Sequence, residues 1–330
     1  MKFWVTLLFL LIAMSGIVAQ DKDYVTVKRA LSLMGSTFEI TVVAQNEEIG
    51  YINIEEAGAE IKRIEKLISS WDADSETSQI NRLAGIRPVK VSVELFKLIE
   101  RAQQISEITY GAFDISYAPL DAIWKFDGSM KFPPTTQEIK KSLAKVGFRK
   151  IVLNSTEHSV FLKEKGMRIG FGAIGKGYAA DKAKEFLVSK QVPAGMINAS
   201  GDITTWGTRA TGEKWLIGVD NPKGQGIYFS WIPLVESSVG ITGDYGAFVS
   251  FNGRKFTHII NPATGYPATG VRKVTVLAER AEFCDALATA VFILGKYKGL
   301  SLINQLDGIE GVILDDHDRV YKSDGILPDN

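Results

Sequence analysis

A glycine-rich segment near the middle of the chain constrains its fold and its chemistry more than any other stretch. Four glycines fall within residues 170–181, where the sequence reads as a strand, a turn and the start of a helix. Glycine lets a backbone come close to a ligand and adopt positive φ. The free N–H groups at the start of the helix favour an anion such as a phosphate, and Lys176 adds a positive charge there. The segment therefore predicts a nucleotide or dinucleotide ligand.

The spacing of these glycines fits two interpretations. Gly170, Gly172 and Gly175 spell the G-x-G-x-x-G pattern of a dinucleotide-binding βαβ unit. No alternating series of strands and helices precedes them, and the acidic residue after the next strand, Asp202, comes late for such a unit. The other interpretation is a glycine turn that joins a strand to a packed helix. The pattern alone does not decide between the two.

The first 20 residues are typical of a secretory signal. Lys2 precedes an apolar run over residues 3–14, and small residues follow as far as Ala19. The apolar run is short for a membrane span, which disfavours an uncleaved anchor. The leader contains no cysteine to which a lipid could be attached, which excludes a bacterial lipid anchor in the leader. We therefore expect residues 1–20 to be removed and residues 21–330 to form an exported, periplasmic domain.

The composition narrows the classes of fold and partner. The chain has 38 basic and 38 acidic residues, so its charge gives no reason to expect binding to nucleic acid or to acidic membranes. Its one cysteine, Cys284, cannot form an intrachain disulfide, and an exported chain of this kind must be held together by its core. A length of 330 residues favours one large domain or two closely packed lobes.

Hydrophobic periodicity predicts both helices and strands. The predicted helices cover residues 55–67, 93–109, 136–146, 176–189 and 282–294, and a short helix ends at Leu83. The predicted strands cover residues 25–30, 37–44, 151–153, 159–162, 167–171, 196–198, 215–219, 239–242, 247–251, 257–260 and 273–277. Gly295 is placed to end the last helix, and Asn252-Gly253 indicates a hairpin turn. The class is therefore α+β, with antiparallel sheets and packed helices in two intimately associated lobes.

The last predicted helix carries a carboxylate and a hydroxyl on one face. Asp285 and Thr289 lie one turn apart among apolar neighbours. A carboxylate there is costly to bury without a partner, and the two oxygen ligands suit Mg²⁺. The alternative is structural, with Asp285 bonded to backbone N–H groups and Thr289 bonded back to a carbonyl. The spacing alone leaves both open.

Several polar turns end predicted strands or helices elsewhere. His258 lies on a strand that runs into Asn261 and Pro262, Asp202 follows small residues at the end of another strand, and Asp114 lies in a segment that follows a long helix. Trp71 follows another helix, where it could stack on a flat ring or pack into the core. Each of these signals is weak by itself.

Taken together and in order, these segments make the chain similar to the ApbE family, the flavin transferases that move FMN from FAD onto a protein. The resemblance runs from Leu33 to Gly295. It is carried by Met34-Gly35-Ser36, Ser70-Trp71, Ser75-Glu76, Ile80-Asn81, Gly111-Ala112-Phe113-Asp114, Gly172-Ala173-Ile174-Gly175-Lys176-Gly177-Tyr178, Asp181, Gly201-Asp202, Gly243-Asp244-Tyr245, His258-Ile259-Ile260-Asn261-Pro262, Thr264-Gly265 and Asp285-Ala286-Leu287-Ala288-Thr289.

The chain also departs from the family pattern. Ser200 stands where the family usually has a glycine, and Ile241 and Thr242 stand where it often has Thr-Ser. Thr242 keeps a hydroxyl beside Gly243, as the serine of the family pattern does. Ser200 replaces a glycine where the family has a tight backbone contact. Many family members carry a lipid-anchoring cysteine that this leader lacks, so their location cannot be transferred to this chain.

The resemblance implies a function and a set of site residues. It implies Mg²⁺-dependent transfer of FMN from FAD to a Thr or Ser hydroxyl of a client flavoprotein, with release of AMP. The implied metal ligands are Asp285, the Thr289 hydroxyl and the Ala173 carbonyl, and the implied catalytic residues are Asp285 and His258. The residues implied to contact FAD are Met34, Trp71, Ala112, Phe113, Asp114, Gly170, Lys176 and Ile260.

Two other functions remain open at this point. The same site could hydrolyse FAD to FMN and AMP with water as the nucleophile, or the chain could be a non-enzymatic flavin-binding protein of the periplasm. The presence of Asp285 and Thr289 counts against the second alternative. The client, or a leader that stays uncleaved, would bring the chain close to a membrane.

Overall fold

A computed structural model of the chain describes residues 24–220, 228–243, 248–251 and 254–326. The strands are β1 (Val25–Leu33), β2 (Ser36–Ala44), β3 (Val89–Lys90), β4 (Ile151–Asn154), β5 (Ser159–Leu162), β6 (Ala194–Ala199), β7 (Asp202–Trp206), β8 (Trp215–Asp220), β9 (Tyr228–Leu234), β10 (Ser238–Gly243), β11 (Phe248–Phe251), β12 (Arg254–Thr257), β13 (Val271–Ala278), β14 (Glu310–Asp315) and β15 (Val320–Lys322). The helices are α1 (Glu47–Ile68), α2 (Glu76–Arg82), α3 (Val93–Ile108), α4 (Ala118–Asp121), α5 (Thr136–Leu143), α6 (Gly175–Ser189) and α7 (Ala281–Ile303). The predicted leader and the Asn252-Gly253 turn lie outside the described residues.

One large antiparallel sheet organises the fold. Its strand order is β1-β2-β6-β7-β10-β13-β14-β15, and every described pairing in it is antiparallel. Helices α1, α6 and α7 pack on it, and α6 also packs against both α1 and α7. Three small sheets, β3-β5-β4, β8-β9 and β11-β12, lie beside it. This arrangement confirms the predicted α+β class with antiparallel sheets and packed helices.

The first helix begins earlier than its apolar stripe predicts. The Asn46 side chain accepts a hydrogen bond from the Ile49 N–H at 2.9 Å, and Glu47 and Glu48 occupy the first turn. A capped, acidic first turn stabilises a helix start even where the sequence is polar. Helix α1 therefore starts at Glu47 and not at residue 55.

The predicted strand at residues 167–171 is wrong. The segment belongs to no sheet, because the Asn81 side chain makes hydrogen bonds with both the N–H and the carbonyl of Ile169, at 2.8 and 3.0 Å. The Gly170 N–H donates to the Ile115 carbonyl at 2.8 Å. Hydrogen bonds with Asn81 and Ile115 thus take the place of a neighbouring strand, and they hold Gly170 in the lining of a cavity.

The predicted strand at residues 257–260 is also wrong beyond its first residue. Strand β12 ends at Thr257, and Ile260 makes only an isolated bridge to Pro267. The Asn261 N–H donates to the Tyr266 carbonyl at 2.9 Å, which closes a polar turn over residues 261–266, directly after this stretch. His258 therefore lies on a bend after β12, and Ile260 lies on the isolated bridge that leads into the turn, so neither is on a regular strand.

Helix α7 runs through the core beside β10 and β13. Its predicted end at Gly295 is a break: Gly295 has φ 78°, outside the helical region, and a further helical segment follows to Ile303. Among the described residues, α7 is the one helix long and apolar enough to cross a membrane, and half of its apolar window is buried. Core helices meet the same criteria, and the contacts of α7 with β10 and β13 are those of a core helix.

Candidate active site

A cavity of about 440 Å³ lies where the glycine turn, the start of α6, α4 and α7 meet. Its volume is within the range of small-molecule sites. Ten of the twelve residues predicted for the site line it, namely Ala112, Phe113, Asp114, Gly170, Ala173, Lys176, His258, Ile260, Asp285 and Thr289. The fold therefore brings together segments that are up to 177 residues apart (289 − 112).

At two positions of the glycine turn, neighbouring atoms lie too close for any residue with a side chain. A Cβ on Gly172 would lie 2.7 Å from the Tyr117 Oη, and a Cβ on Gly177 would lie 2.2 Å from the Ala281 carbonyl oxygen. None of the four glycines in residues 170–181 has positive φ. These close contacts are within the protein, so the predicted approach of a ligand to the turn stays a prediction, whereas the expected positive φ is wrong at this turn.

Asp285 joins the start of α6 to α7. It is 3% exposed, and its Oδ2 accepts a hydrogen bond from the Gly177 N–H at 3.2 Å. Burial raises the pKa of Asp285, and the charge of Lys176 and the N–H groups of Gly177 and Lys176 offset that rise only in part. Asp285 thus bonds backbone N–H groups, as the structural alternative expected, but those of another helix; magnesium binding by Asp285 stays a prediction.

The hydroxyl predicted to accompany Asp285 faces the same cavity. Thr289 lies one turn further along α7, and its Oγ1 is 3.2 Å from the Oγ1 of Thr242 at the end of β10. Ala173 lines the cavity from the glycine turn. A carboxylate and hydroxyl oxygens around one cavity form a donor set that suits a hard divalent cation.

Lys176 is held by a residue to which the sequence assigned no role. Its Nζ donates to Asp202 Oδ2 at 2.6 Å, and Asp202 is 1% exposed at the start of β7. Burial raises the pKa of Asp202 to about 7; the charge of Asp285 adds to the rise and that of Lys176 opposes it. Burial alone would lower the pKa of Lys176, but the charges of Asp285 and Asp202 raise it, so Lys176 is a cation at neutral pH.

A second pair, Tyr117 and Asp121, was missed by the sequence analysis. Both line the cavity, and the Tyr117 hydroxyl is hydrogen-bonded to the Asp121 carboxylate. Burial raises the pKa of Asp121 to about 6 and that of Tyr117 well above its ordinary value. An acid inside the apolar run of residues 118–124 was the available signal, and it is of the same kind as the one that singled out Asp285.

Asp114 shapes the cavity wall through its backbone contacts. Its Oδ1 accepts from the Ser116 N–H at 2.7 Å and its Oδ2 from the Phe148 N–H at 2.8 Å. Burial raises the pKa of Asp114, and these hydrogen bonds oppose the rise. The carboxylate thereby fixes the loop that carries Ala112 and Phe113. Elsewhere in the lining, the His258 ring meets the Phe126 ring edge-on, with centroids 6.5 Å apart.

Met34 and Trp71 do not line this cavity. Met34 lies near the start of α6, because a Cβ on Gly175 would be 3.7 Å from the Met34 Cε. Trp71 is 87% exposed on the loop after α1, so the structure excludes the core alternative for it. Its ring is free of the core and open to a flat ligand outside the cavity.

An acidic group elsewhere resembles a metal site but is already occupied by cations. Among the described residues, Asp315, Asp316 and His317 form the one such group with ligand atoms close together. Asp315 accepts from Lys296 Nζ at 2.7 Å and from Arg319 Nε at 3.0 Å. We call Asp315 with Lys296, Arg319 and Tyr321 the Asp315 hub. Burial alone would raise the pKa of Asp315, but hydrogen bonds from Lys296 and Arg319 hold it well below its usual range.

Comparisons with known proteins agree with one another. The model of the ApbE family matches residues 34–313. The FAD:protein FMN transferase of Treponema pallidum is 30% identical over 289 residues, which cover 83% of this chain and 80% of that protein. The FAD:protein FMN transferase of Klebsiella pneumoniae is 32% identical over 257 residues, covering 77% and 79%.

Solved structures give the same result for the fold. The ApbE protein of Thermotoga maritima superposes with a TM-score of 0.84 at 29% identity, covering 91% of this chain and 97% of that one. The flavin transferase ApbE of Vibrio cholerae has a TM-score of 0.82 at 23% identity, covering 91% and 98%, and at that identity it supports the fold alone.

Proposed function

Because the chain belongs to the ApbE family, we propose that it is an FAD:protein FMN transferase. It moves FMN from FAD to a Thr or Ser hydroxyl of a client flavoprotein and releases AMP. The observation that carries the proposal is the meeting of Lys176 and Asp285 at one cavity, linked by the Gly177 N–H that bonds Asp285 at 3.2 Å. A cation and a buried carboxylate at a glycine turn suit an anionic anhydride with its counterion.

The residues present fit a magnesium ion. Asp285 is buried with backbone N–H groups as its hydrogen-bonding partners, and the Thr289 hydroxyl and the Ala173 carbonyl complete a set of hard oxygen ligands. When bound, Mg²⁺ would neutralise charge on the pyrophosphate oxygens. A carboxylate whose pKa is raised by burial gains from a nearby cation, which supports this assignment.

Lys176 and His258 supply the remaining chemistry in this proposal. The Lys176 ammonium, fixed by Asp202, stabilises negative charge on the phosphoryl group as the bond to the leaving AMP breaks. The acceptor oxygen attacks the phosphorus on the FMN side and forms the new P–O bond. Its proton passes to His258, because a metal-bound Asp285 would be a weak base. Positioning contributes most of the catalysis in such transfers.

The other implied contacts follow the shape of the site. Ala112, Phe113, Asp114, Gly170 and Ile260 would contact the part of FAD inside the cavity. Met34 and Trp71 would contact a part that extends beyond it, and the exposed Trp71 ring is available for stacking on the flavin. The leader supports export to the periplasm, where the client would also be found.

The test uses FAD, Mg²⁺ and a client peptide with one Thr. We expect the peptide to gain the mass of FMN while AMP is released in equal amount. The Asp285→Ala variant should lose both, whereas the matched control Asp315→Asn, a change at an equally buried acid, should keep both. Release of free FMN and AMP with no covalent flavin would favour the pyrophosphatase alternative. Bound FAD with no AMP release at saturating Mg²⁺ would favour a flavin-binding protein.

A further inference from the structure

The cavity contains a carboxylate that the proposed transfer does not use. Asp121 ends α4, is half-buried and lines the cavity. The Tyr117 hydroxyl donates a hydrogen bond to it. Among the described residues no lysine or arginine forms an ion pair with this carboxylate, and Lys125 reaches only the Asp121 backbone carbonyl, at 3.5 Å.

This carboxylate has acceptor capacity left over. A carboxylate offers about four acceptor sites on its two oxygens. Tyr117 fills one of them, and the positive charges of Lys125 and Arg168 act on the group from a distance. Burial raises the pKa of Asp121 to about 6, so the group is mostly ionised at neutral pH. A partly desolvated anion with open acceptor sites is costly unless a ligand supplies donors.

Tyr117 and Asp121 lie close to the glycine turn, and this position limits which ligand groups can donate hydrogen bonds to Asp121. A Cβ on Gly172 would lie 2.7 Å from the Tyr117 Oη, so the pair lies beside the turn, one residue before Ala173. The pyrophosphate of FAD, placed at this turn by the proposed function, has no donors and would be repelled by Asp121. The groups next to a dinucleotide's phosphates are the sugar hydroxyls on either side. Carboxylates bind ribose hydroxyls in this manner in other dinucleotide sites.

We propose that Asp121 is a specificity residue that accepts a hydrogen bond from a sugar hydroxyl of the dinucleotide, with Tyr117 as its positioning residue. This inference rests on the proposed function, since it takes FAD as the ligand. The hydroxyl belongs either to the ribose of the AMP half or to the ribityl chain of the FMN half. The two sources share one chemistry and are separated by experiment.

The experiment measures equilibrium binding and not turnover. The full chain is titrated with FAD, AMP and FMN, and with two analogues: 2′,3′-dideoxy-AMP and a flavin phosphate whose ribityl chain is replaced by an alkyl chain. We expect Asp121→Ala to weaken FAD binding by roughly 10- to 100-fold, the range for a hydrogen bond to a charged group. The wild type should prefer one natural half over its analogue by a similar factor, and Asp121→Ala should lose that preference.

Two variants guard against a trivial loss of folding. Asp121→Asn keeps the shape and one acceptor, so it should show the same trend with a smaller loss. Tyr117→Phe should also reduce the preference for the hydroxyl, which a purely structural role of Tyr117 would leave unchanged. Asp127→Ala, a change at an exposed acid on the loop after α4, is the control and should bind like the wild type.

The outcomes separate this inference from the function on which it rests. If Asp121→Ala binds FAD as tightly as the wild type, or more tightly, the carboxylate repels phosphates and the inference is overturned while transfer can still be observed. If the wild type prefers the hydroxylated half through Asp121 but transfers no FMN, the inference stands and the proposed function fails. A wild type that binds no FAD overturns both.

Discussion

Two buried carboxylates in this molecule have opposite surroundings. Asp285 is 3% exposed and Asp315 is 0% exposed. Asp315 accepts hydrogen bonds from Lys296, Arg319 and Tyr321, and their effect is a pKa well below the usual range. Asp285 accepts hydrogen bonds from backbone N–H groups, and burial raises the pKa of Asp285. The cation near it, Lys176, donates its side-chain hydrogen bond to Asp202 instead.

The difference shows how the same residue type serves two purposes. A carboxylate with a full set of cationic and N–H donors stabilises the fold and has no capacity for a further cation. A carboxylate that is equally buried but lacks a bonded cation is a place where one can bind. By this criterion the acidic group around Asp315 is structural, although it has the composition of a metal site, and Asp285 is the carboxylate that we propose as functional.

The largest effect should separate the two carboxylates by activity. Asp285→Asn removes the negative charge that is proposed to hold the cation, and we expect AMP release from FAD to fall by roughly 10²- to 10³-fold, as when one electrostatic stabiliser is lost. Asp315→Asn leaves the cavity intact and should stay near the wild-type rate. The measurement is the rate of AMP release at saturating FAD and Mg²⁺. Equal losses in both variants would contradict the distinction.

A smaller effect is expected at the cation beside Asp285. Lys176→Gln should lower the same rate by roughly 10²-fold, because the phosphoryl group loses a positive charge in a partly buried site. Lys182→Gln on the same helix is the control, since Lys182 pairs with Glu185 on the surface. A normal rate for Lys176→Gln would remove this residue from the site.

Thermal stability should show the opposite order of effects, with a larger loss on changing Asp315 than on changing Asp285. Asp315→Asn breaks the Asp315 hub and leaves Lys296 without its anion, so we expect a clear fall in the midpoint of thermal unfolding. Asp285→Asn removes a carboxylate whose ionised form is disfavoured by burial, so its midpoint without Mg²⁺ should equal or exceed that of the wild type. Differential scanning calorimetry in the presence of a chelator measures both. A lower midpoint for Asp285→Asn alone would refute this ranking.

The smallest effect concerns pH. The pKa of Asp315 is lower in the folded chain than in the unfolded one, so its stabilising effect is present above the unfolded pKa of about 4 and is lost as pH falls through the folded value. The difference in unfolding midpoint between wild type and Asp315→Asn should therefore be constant near neutral pH and shrink in acid. If the difference in unfolding midpoint between the wild type and Asp315→Asn grew in acid, the lowered pKa of Asp315 would be contradicted.

Local pattern predicted much of the fold, and the misses have physical causes. Helix α6, the apolar core of α7 and most strands of the large sheet follow from periodicity, and the spacing of Asp285 and Thr289 correctly placed both on one helix face, which lines the cavity. The strand predicted at residues 167–171 fails because Asn81, 88 residues from Ile169, satisfies the backbone there. No local pattern contains that contact.

The same limit applies to the site. Asp202 was found as part of a motif, but its bond to Lys176 depends on the pairing of β6 with β7, which places it under the glycine turn. Tyr117 and Asp121 lie on the short helical segment beside that turn, where their role depends on the close approach of Gly172. Sequence reasoning finds residues whose chemistry is unusual locally, and it misses those that become unusual through distant neighbours.

The most direct test of the central claim locates the cation itself. Crystals grown with FAD and Mn²⁺ in place of Mg²⁺ give an anomalous signal at each bound metal. The account predicts a peak within bonding distance, about 2.1 Å for a magnesium-like site, of an Asp285 carboxylate oxygen and the Thr289 hydroxyl. A peak at Asp315, Asp316 and His317, with none at Asp285, would contradict it.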